Sequence, residues 1–211
     1  MSHSFFPMAE RAVLVRFTGG ISEATRARVH SLFHALKRQP TLALHPAYAS
    51  LLIEFDPEVE SRANVEQRVE SLLQVPERDR ATRLIEVPVV YDGADLAEVA
   101  ELLGMAPEAL VKLHSSVIYT AVFLGFQPGF AYLDGLPESL TVPRLSSPRL
   151  KVPAGSVAIA GRQTGIYPVT SPGGWRLLGR TGLAIFSPEQ DPPVLIGMGD
   201  RVKFVPVETL P

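Results

Sequence analysis

The chain has 211 residues, of which 46% are hydrophobic and 20% are charged, so it can build a substantial core and is not globally disordered. Its net charge of −2 gives no support for nucleic acid as the main partner, and the lack of cysteine excludes disulfides and thiolate sites. No apolar run approaches the roughly 18 residues of a membrane helix, and the start MSHSFFPMAERAVLVRF shows no signal-peptide pattern. We therefore expect a cytoplasmic protein with neither a nucleic-acid nor a membrane partner.

The first part of the chain alternates between strand and helix patterns. Strands are predicted at residues 11–17, 41–45, 50–56 and 84–91, and helices at 22–38 and 61–74. Ser22 is the predicted N-cap of the first helix, and Pro88 favours an edge or bulge position for the last strand. The order β-α-β-β-α-β is that of the split βαβ, ferredoxin-like pattern. We predict a small α+β domain over residues 1–88, with a charged connector at 77–83.

The remainder begins with two helices and then changes to short apolar runs between turns. The helices are predicted at 95–104 and 107–114, with Asp95 and Glu98 at capping-box spacing. Strands are predicted at 117–126, 156–160, 183–186, 194–198 and 201–205. This spacing favours a β-barrel or sandwich over residues 89–211. The fold class of the whole chain is therefore predicted as α+β.

Residues 125–182 are rich in glycine and proline and carry an excess of positive charge. The only acids are Asp134 and Glu138, against six bases: Arg144, Arg149, Lys151, Arg162, Arg176 and Arg180. A turn-rich basic surface suits a carboxylate or phosphate ligand. The alternative is that these arginines pair with acids elsewhere and only hold the turns.

Common catalytic motifs are missing from the sequence. The run GSVAIAGRQT at 155–164 fails as a phosphate loop because its spacing is too long and the required lysine is absent. No G-x-S-x-G or H-E-x-x-H motif occurs. His30 and His34 stand at i, i+4 spacing without a third ligand, so we expect no metal site. His114 is a candidate general acid or base, and its alternative is a helix C-terminal residue favoured by the dipole.

The remaining candidate ligand-binding side chains are amides, hydroxyls, guanidiniums and aromatic rings. We expect Arg149, Gln163, Tyr167 and Arg180 to face one cavity, with Arg144 and His114 nearby. Phe126 and Phe130 are candidate cavity walls as much as core residues, whereas Trp175 is predicted to be core.

Several long motifs together resemble one known family. They are GFQPGFAYL (125–133), VPAGSVAIAGRQTGIYP (152–168), SPGGW (171–175), GRT (179–181), HPAYASLLIEFDP (45–57) and GDRVKF (199–204). The family is that of the B subunit of bacterial 5-oxoprolinase, also called the KipI or allophanate hydrolase subunit 1 family. The resemblance covers nearly the whole chain.

The resemblance implies a small α+β domain followed by a cyclophilin-like β-barrel. It implies a subunit, inactive alone, that opens 5-oxo-L-proline to L-glutamate together with a homologous C subunit and an A subunit, with ATP as co-substrate. On this basis His114, Gln163 and Arg180 are candidate catalytic residues, and Arg144, Arg149, Tyr167, Phe126 and Phe130 are candidate substrate-binding residues. The alternatives within the same family are an inhibitor of a sensor histidine kinase and a subunit for allophanate or urea amide hydrolysis.

Overall fold

The computed structural model describes residues 2–74 and 82–210, and the chain divides into two units, Met1–Ala81 and Thr82–Pro211. Most of the predicted connector at 77–83 lies outside the described residues. The domain boundary predicted at residue 88 falls inside a strand of the second unit, and the division lies before that strand.

The described residues of the first unit form four strands and two helices. They are β1 His3–Pro7, β2 Ala12–Phe17, α1 Glu23–Leu36, β3 Leu42–Pro46, β4 Ser50–Phe55 and α2 Arg62–Leu73. Both helices begin at a serine cap, since Ser22 Oγ accepts from Thr25 N at 3.2 Å and Ser61 Oγ accepts from Asn64 N at 3.3 Å. The predicted cap at Ser22 is confirmed.

The strands of the first unit form one antiparallel sheet in the order β1-β2-β4-β3. Alternate residues of β2 and β4, such as Val13 and Ile53, are fully buried. Val29 and Leu32 of α1 and Val65 of α2 belong to the same apolar cluster. The core of this unit is thus made by one sheet face and the apolar stripes of its two helices.

The expected ferredoxin-like pattern is not what the first unit shows. The strand predicted at 84–91 as its last element pairs in parallel with a strand of the second unit, at residues 201–206. Its place in the first unit is taken by β1, which pairs with β2 and which the sequence patterns did not predict. The physical reason is that a strand pattern specifies which side chains are buried, and it does not specify which strand is the partner.

Residues 82–210 of the second unit form nine strands, two helices and a short 3₁₀ helix at Glu138–Leu140. The others are β5 Leu84–Val89, α3 Leu96–Leu102, α4 Pro107–Ser116, β6 Ile118–Leu124, β7 Ala131–Asp134, β8 Arg149–Val152, β9 Ser156–Ala160, β10 Gln163–Ile166, β11 Ser171–Gly173, β12 Arg176–Arg180 and β13 Arg201–Pro206. The apolar runs predicted as strands at 183–186 and 194–198 form no regular strand, and only the bridge Phe186–Val194 joins them.

Seven strands of the second unit form a nearly closed, barrel-like sheet in the order β12-β9-β10-β7-β6-β13-β5. Its two edges meet just beyond β5, where Val90 and Arg180 exchange two backbone hydrogen bonds of 2.9 Å each. Pro88 lies on the edge strand β5, where a missing N–H costs little. β8 and β11 form a separate two-stranded ribbon.

Within the described ranges, 2–74 and 82–210, no helix combines the length and the apolar character needed to cross a membrane.

Candidate functional site

A cavity of about 140 Å³ opens in the second unit beside the β8–β11 ribbon. Its lining is mainly aromatic, with one cation and two glycines: Phe126, Phe130, Tyr132, Arg144, Leu145, Pro148, Tyr167, Gly173, Gly174 and Trp175. Four of the residues predicted for the site therefore share one cavity, namely Phe126, Phe130, Arg144 and Tyr167.

Phe130 is the centre of the aromatic wall. Its ring meets Trp175, Tyr167 and Tyr132 edge to face, at centroid distances of 5.4, 5.5 and 5.0 Å. Phe130 is only 2% exposed and Trp175 only 6%. Such T-shaped contacts are favourable arrangements of aromatic rings, so the wall is a rigid part of the core.

Phe126 differs from the other rings because it is 62% exposed and stands in a strained turn. Its φ is 68°, in the left-handed region that a residue with a bulky side chain rarely adopts. Around it, Gln127 N donates to Gly125 O at 2.8 Å, which makes a γ-turn of the rare type with positive φ. The turn holds the Phe126 ring over the cavity, edge to face with Phe130 at 5.5 Å. Backbone strain of this kind concentrates at functional sites.

Gly173 lets the backbone of the ribbon approach the Tyr167 ring. A Cβ on Gly173 would stand 2.2 Å from the Tyr167 hydroxyl, so only glycine leaves room there. Gly174 O accepts a hydrogen bond from Leu145 N at 2.8 Å, which ties the segment carrying Arg144 to the same turn. Gly173 is therefore needed for space around Tyr167, and the backbone of the same turn holds the segment that carries Arg144.

Arg144 is the cation of the cavity. No ion pair or hydrogen bond joins its side chain to another residue in the described part of the chain. Burial raises the pKa of Tyr167. A hydrogen bond from the backbone N–H of Trp175 and the positive charges of Arg144 and Arg149 lower it by a smaller amount. Burial also raises the pKa of Tyr132 against the effect of Arg144. Both phenols therefore stay protonated at neutral pH, and Tyr167 can act as a hydrogen-bond donor beside a free guanidinium.

Three other arginines of the basic stretch are neutralised by acids from the segment before and within α3. Arg149 pairs with Asp95 at 2.6 Å, Arg176 with Glu98 at 2.5 Å and Arg180 with Asp92 at 2.9 Å. The positive charge that the sequence shows at 125–182 is thus largely compensated in three dimensions. These contacts match the alternative interpretation, in which arginines hold the turns.

Asp95 does not act as the predicted capping residue. Its side chain makes no cap hydrogen bond to α3, and its second oxygen accepts from Leu177 N at 2.7 Å. Asp95 is only 3% exposed, so its charge needs compensation, which Arg149 and the backbone N–H of Leu177 provide. A buried carboxylate needs such partners more than the short helix α3 needs a cap.

His114 lies in the core of the second unit and is 0% exposed. The hydroxyl of Thr164 donates its proton to Ala158 O at 3.0 Å, so its oxygen accepts a hydrogen bond from His114 Nε2–H at 2.9 Å. The other ring nitrogen of His114, Nδ1, therefore carries no proton and accepts from the Tyr91 hydroxyl at 2.8 Å. Burial lowers the pKa of His114 to about 3. The ring also stacks on Phe204 at 4.6 Å. This geometry supports a structural role for a neutral imidazole that is closed off from solvent.

Gln163, Arg149 and Arg180 are not among the described residues that line the cavity. Gln163 is half-buried at the start of β10, opposite Ala160. Arg180 is exposed beside Asp92. Arg149 is closer to the cavity, since it follows the lining residue Pro148 and pairs with Gly173 across the ribbon. Tyr132, Gly173 and Gly174 also line the cavity and were not predicted to do so, although they lie in the motifs GFAYL and SPGGW.

Comparison with known proteins identifies relatives over most of the chain. The sequence model of one protein family, the carboxyltransferase domain, subdomain C and D, matches residues 3–196. The 5-oxoprolinase B subunit of Bacillus subtilis is 38% identical, over 94% of this chain and 90% of its own length. The protein of the same name from Escherichia coli O157:H7 is 57% identical, over 59% of this chain and 59% of its own length. The one from Haemophilus influenzae is 46% identical, over 75% of this chain and 73% of its own length.

Solved structures give the same picture for the fold. The protein TTHA0988 matches with a TM-score of 0.87 and 43% identity, over 94% of this chain and 40% of its own length. This chain therefore spans less than half of that longer protein. The urea carboxylase of Kluyveromyces lactis matches with a TM-score of 0.72 over 97% of this chain and 22% of its own, and at 18% identity this likeness concerns the fold alone. These matches confirm the family assigned from the sequence motifs. The chain therefore belongs to the family of the 5-oxoprolinase B subunit and carries the carboxyltransferase domain of subdomains C and D.

Proposed function

We propose that this chain is a subunit of an ATP-dependent 5-oxoprolinase, which opens 5-oxo-L-proline to L-glutamate together with partner subunits. The observation that carries the proposal is the 38% identity with the Bacillus subtilis protein over 94% of this chain and 90% of the relative. A relationship over nearly both full lengths includes the residues around the cavity as well as the scaffold.

A B subunit implies other subunits, and we propose that they are a homologous C subunit and an A subunit. The described residues support this division of labour, because the cavity offers a cation, a phenol and aromatic walls but lacks a nucleophile or a general base. A five-membered lactam resists hydrolysis, and coupling its opening to ATP requires phosphate-binding groups in addition to a substrate site. We expect this assembly in the cytoplasm, where ATP is available.

Within the assembly, Arg144 and Tyr167 bind the substrate carboxylate, and Phe126 and Phe130 contact its ring. A guanidinium matches a carboxylate with two parallel hydrogen bonds, and a protonated phenol adds a third donor. The nearly closed seven-stranded sheet supports a cyclophilin-like barrel as the scaffold of this site. No group of three or more histidine or carboxylate side chains able to hold a metal ion occurs in the described ranges.

Co-expression with the proposed A and C subunits tests the function directly. We expect the purified assembly to release glutamate from 5-oxo-L-proline only when ATP is present, and we expect this chain alone to release none. Omitting this chain from the reconstituted mixture should abolish the reaction. A folded, complete assembly that forms no glutamate would contradict the proposal.

A further inference from the structure

We infer that the aromatic cavity binds a compact cyclic monocarboxylate, of the lactam acid class, in the isolated chain, and that the nucleotide is not bound in this cavity. This inference rests on the proposed function. It extends that function by assigning the two substrates to different places.

The charges around the cavity fit a ligand with one negative charge. Arg144 lines the cavity without an ion-pair partner in the described part of the chain. Arg149, the next guanidinium along, is compensated by Asp95 at 2.6 Å, and Arg176 by Glu98 at 2.5 Å. A triphosphate is held by several cations or by a nest of backbone N–H groups, as in phosphate loops. One guanidinium beside one phenol instead matches one carboxylate.

The size of the cavity points in the same direction. Its volume is about 140 Å³, whereas pockets for drug-sized ligands occupy roughly 300–1,000 Å³. A single five-membered ring with one carboxylate suits a space of this size. A nucleotide, with its base, ribose and phosphates, requires several times more room.

The walls fit a flat, partly apolar ring. Phe130 and Trp175 are nearly inaccessible to solvent, and their mutual edge-to-face packing fixes the floor of the cavity. Phe126 is held above it by the strained γ-turn, so its exposed face can cover a bound ring. A ligand ring between these surfaces would lose water from both faces, which favours binding of apolar surface.

The chain contains one tryptophan, and Trp175 lines the cavity, so its fluorescence reports directly on binding. We would titrate the isolated chain with 5-oxo-L-proline, with 2-pyrrolidinone, which has the ring without the carboxylate, and with ATP and inorganic phosphate. We expect a saturable fluorescence change with 5-oxo-L-proline, at least about tenfold weaker binding of 2-pyrrolidinone, and no competition from ATP or phosphate. A tenfold change corresponds to about 1.4 kcal/mol.

Arg144→Gln should weaken binding of 5-oxo-L-proline at least about tenfold, whereas Arg162→Gln should leave it unchanged. Arg162 is an exposed arginine of the same basic stretch that does not line the cavity, so it controls for a general loss of positive charge. Circular dichroism of both variants would check that each is folded.

The inference is overturned if the isolated chain does not bind 5-oxo-L-proline, if ATP competes for the cavity, or if Arg144→Gln binds as tightly as the unaltered chain. The reconstituted assembly separates this failure from that of the proposed function. Glutamate formation by the assembly without binding in the isolated chain would overturn the inference alone. Binding in the cavity without glutamate formation by the assembly would overturn the proposed function alone.

Discussion

The carboxylate of Asp95 accepts a 2.6 Å hydrogen bond from the guanidinium of Arg149, a residue 54 positions further along the chain. The same carboxylate accepts from Leu177 N at 2.7 Å, so one buried side chain connects the start of α3 with β8 and β12. Arg149 is the first residue of β8, one of the two strands of the ribbon beside the cavity. This connection makes Asp95 a positioning residue for the site as well as a contributor to stability.

Asp95→Asn should lower the free energy of unfolding by about 3 kcal/mol, since it leaves a partly buried guanidinium without its counter-charge. The matched control is Asp92→Asn, which breaks the pair with Arg180. Both side chains of that pair are substantially exposed, at 44% and 56%, so we expect a loss below about 1 kcal/mol. Urea denaturation measures both variants, and equal losses would contradict the importance assigned to Asp95.

The buried neutral His114 should make the stability fall in mild acid. Its pKa is about 3 in the folded chain and about 6.5 when unfolded. The unfolded state therefore binds a proton below about pH 6.5 while the folded state does not, and stability falls by up to about 1.4 kcal/mol per pH unit down to the folded pKa. Urea denaturation at pH 7 and pH 5 measures the change.

His114→Gln, which cannot titrate, should show a smaller loss of stability between these two pH values, although it is less stable at pH 7. His45→Gln, which replaces an exposed histidine, should retain the full acid effect. If His114→Gln and the unaltered chain lose the same amount between pH 7 and pH 5, another group causes the acid effect.

Gly173→Ala should distort the cavity and Gly174→Ala should not. The new methyl group at 173 would stand 2.2 Å from the Tyr167 hydroxyl, whereas at 174 its nearest neighbours are 3.7 Å away. We expect Gly173→Ala to cost about 1–3 kcal/mol of stability through overpacking and to weaken ligand binding detected by Trp175 fluorescence. Thermal melts and titrations of the two variants provide the comparison. Equal behaviour would show that Tyr167 does not pack against Gly173 in solution.

Arg144→Lys and Arg180→Lys distinguish a ligand-binding arginine from a structural one. Lysine loses the planar fork, so Arg144→Lys should reduce the turnover of the assembly by more than about tenfold. Arg180 pairs with Asp92 at an exposed position, and a lysine there should keep turnover within about twofold. A large loss of turnover for Arg180→Lys without a change in melting temperature would support the catalytic role that the sequence resemblance implies.

Local sequence patterns were sufficient for the helices and for seven of the thirteen described strands, and they missed β1, β7, β8, β10, β11 and β12. The four helices predicted at 22–38, 61–74, 95–104 and 107–114 are α1 to α4, because apolar periodicity and terminal residues act within a few positions of each other. Which sheet contains β5 could not be read in this way, since its partner β13 is more than a hundred residues away. β1 was missed because it is a short edge strand that ends in Pro7.

The site shows the same division between local and long-range information. Phe126, Phe130, Arg144 and Tyr167 were proposed as ligand-binding residues because their types suit a ligand, and the structure places them around one cavity. The pairing of Arg149, Arg176 and Arg180 with acids at 92–98 could not be predicted, because it depends on the fold bringing distant segments together. From composition alone, these three arginines contribute to the excess of positive charge at residues 125–182. In the structure each is paired with a carboxylate, so they add little to the net charge of this region.

The position of β13 between β5 and β6 has a consequence for how the protein is synthesised. β13 is translated after β5 and β6, yet it pairs with both of these strands. On the ribosome, β5 and one side of β6 must wait for residues 201–206 to emerge before their backbone groups are paired. Such late, non-local pairing slows folding and leaves strand edges open to association with other nascent chains. Slowed translation of the codons for residues 201–206 should therefore reduce the yield of folded protein more than slowed translation of the codons for β1 to β4.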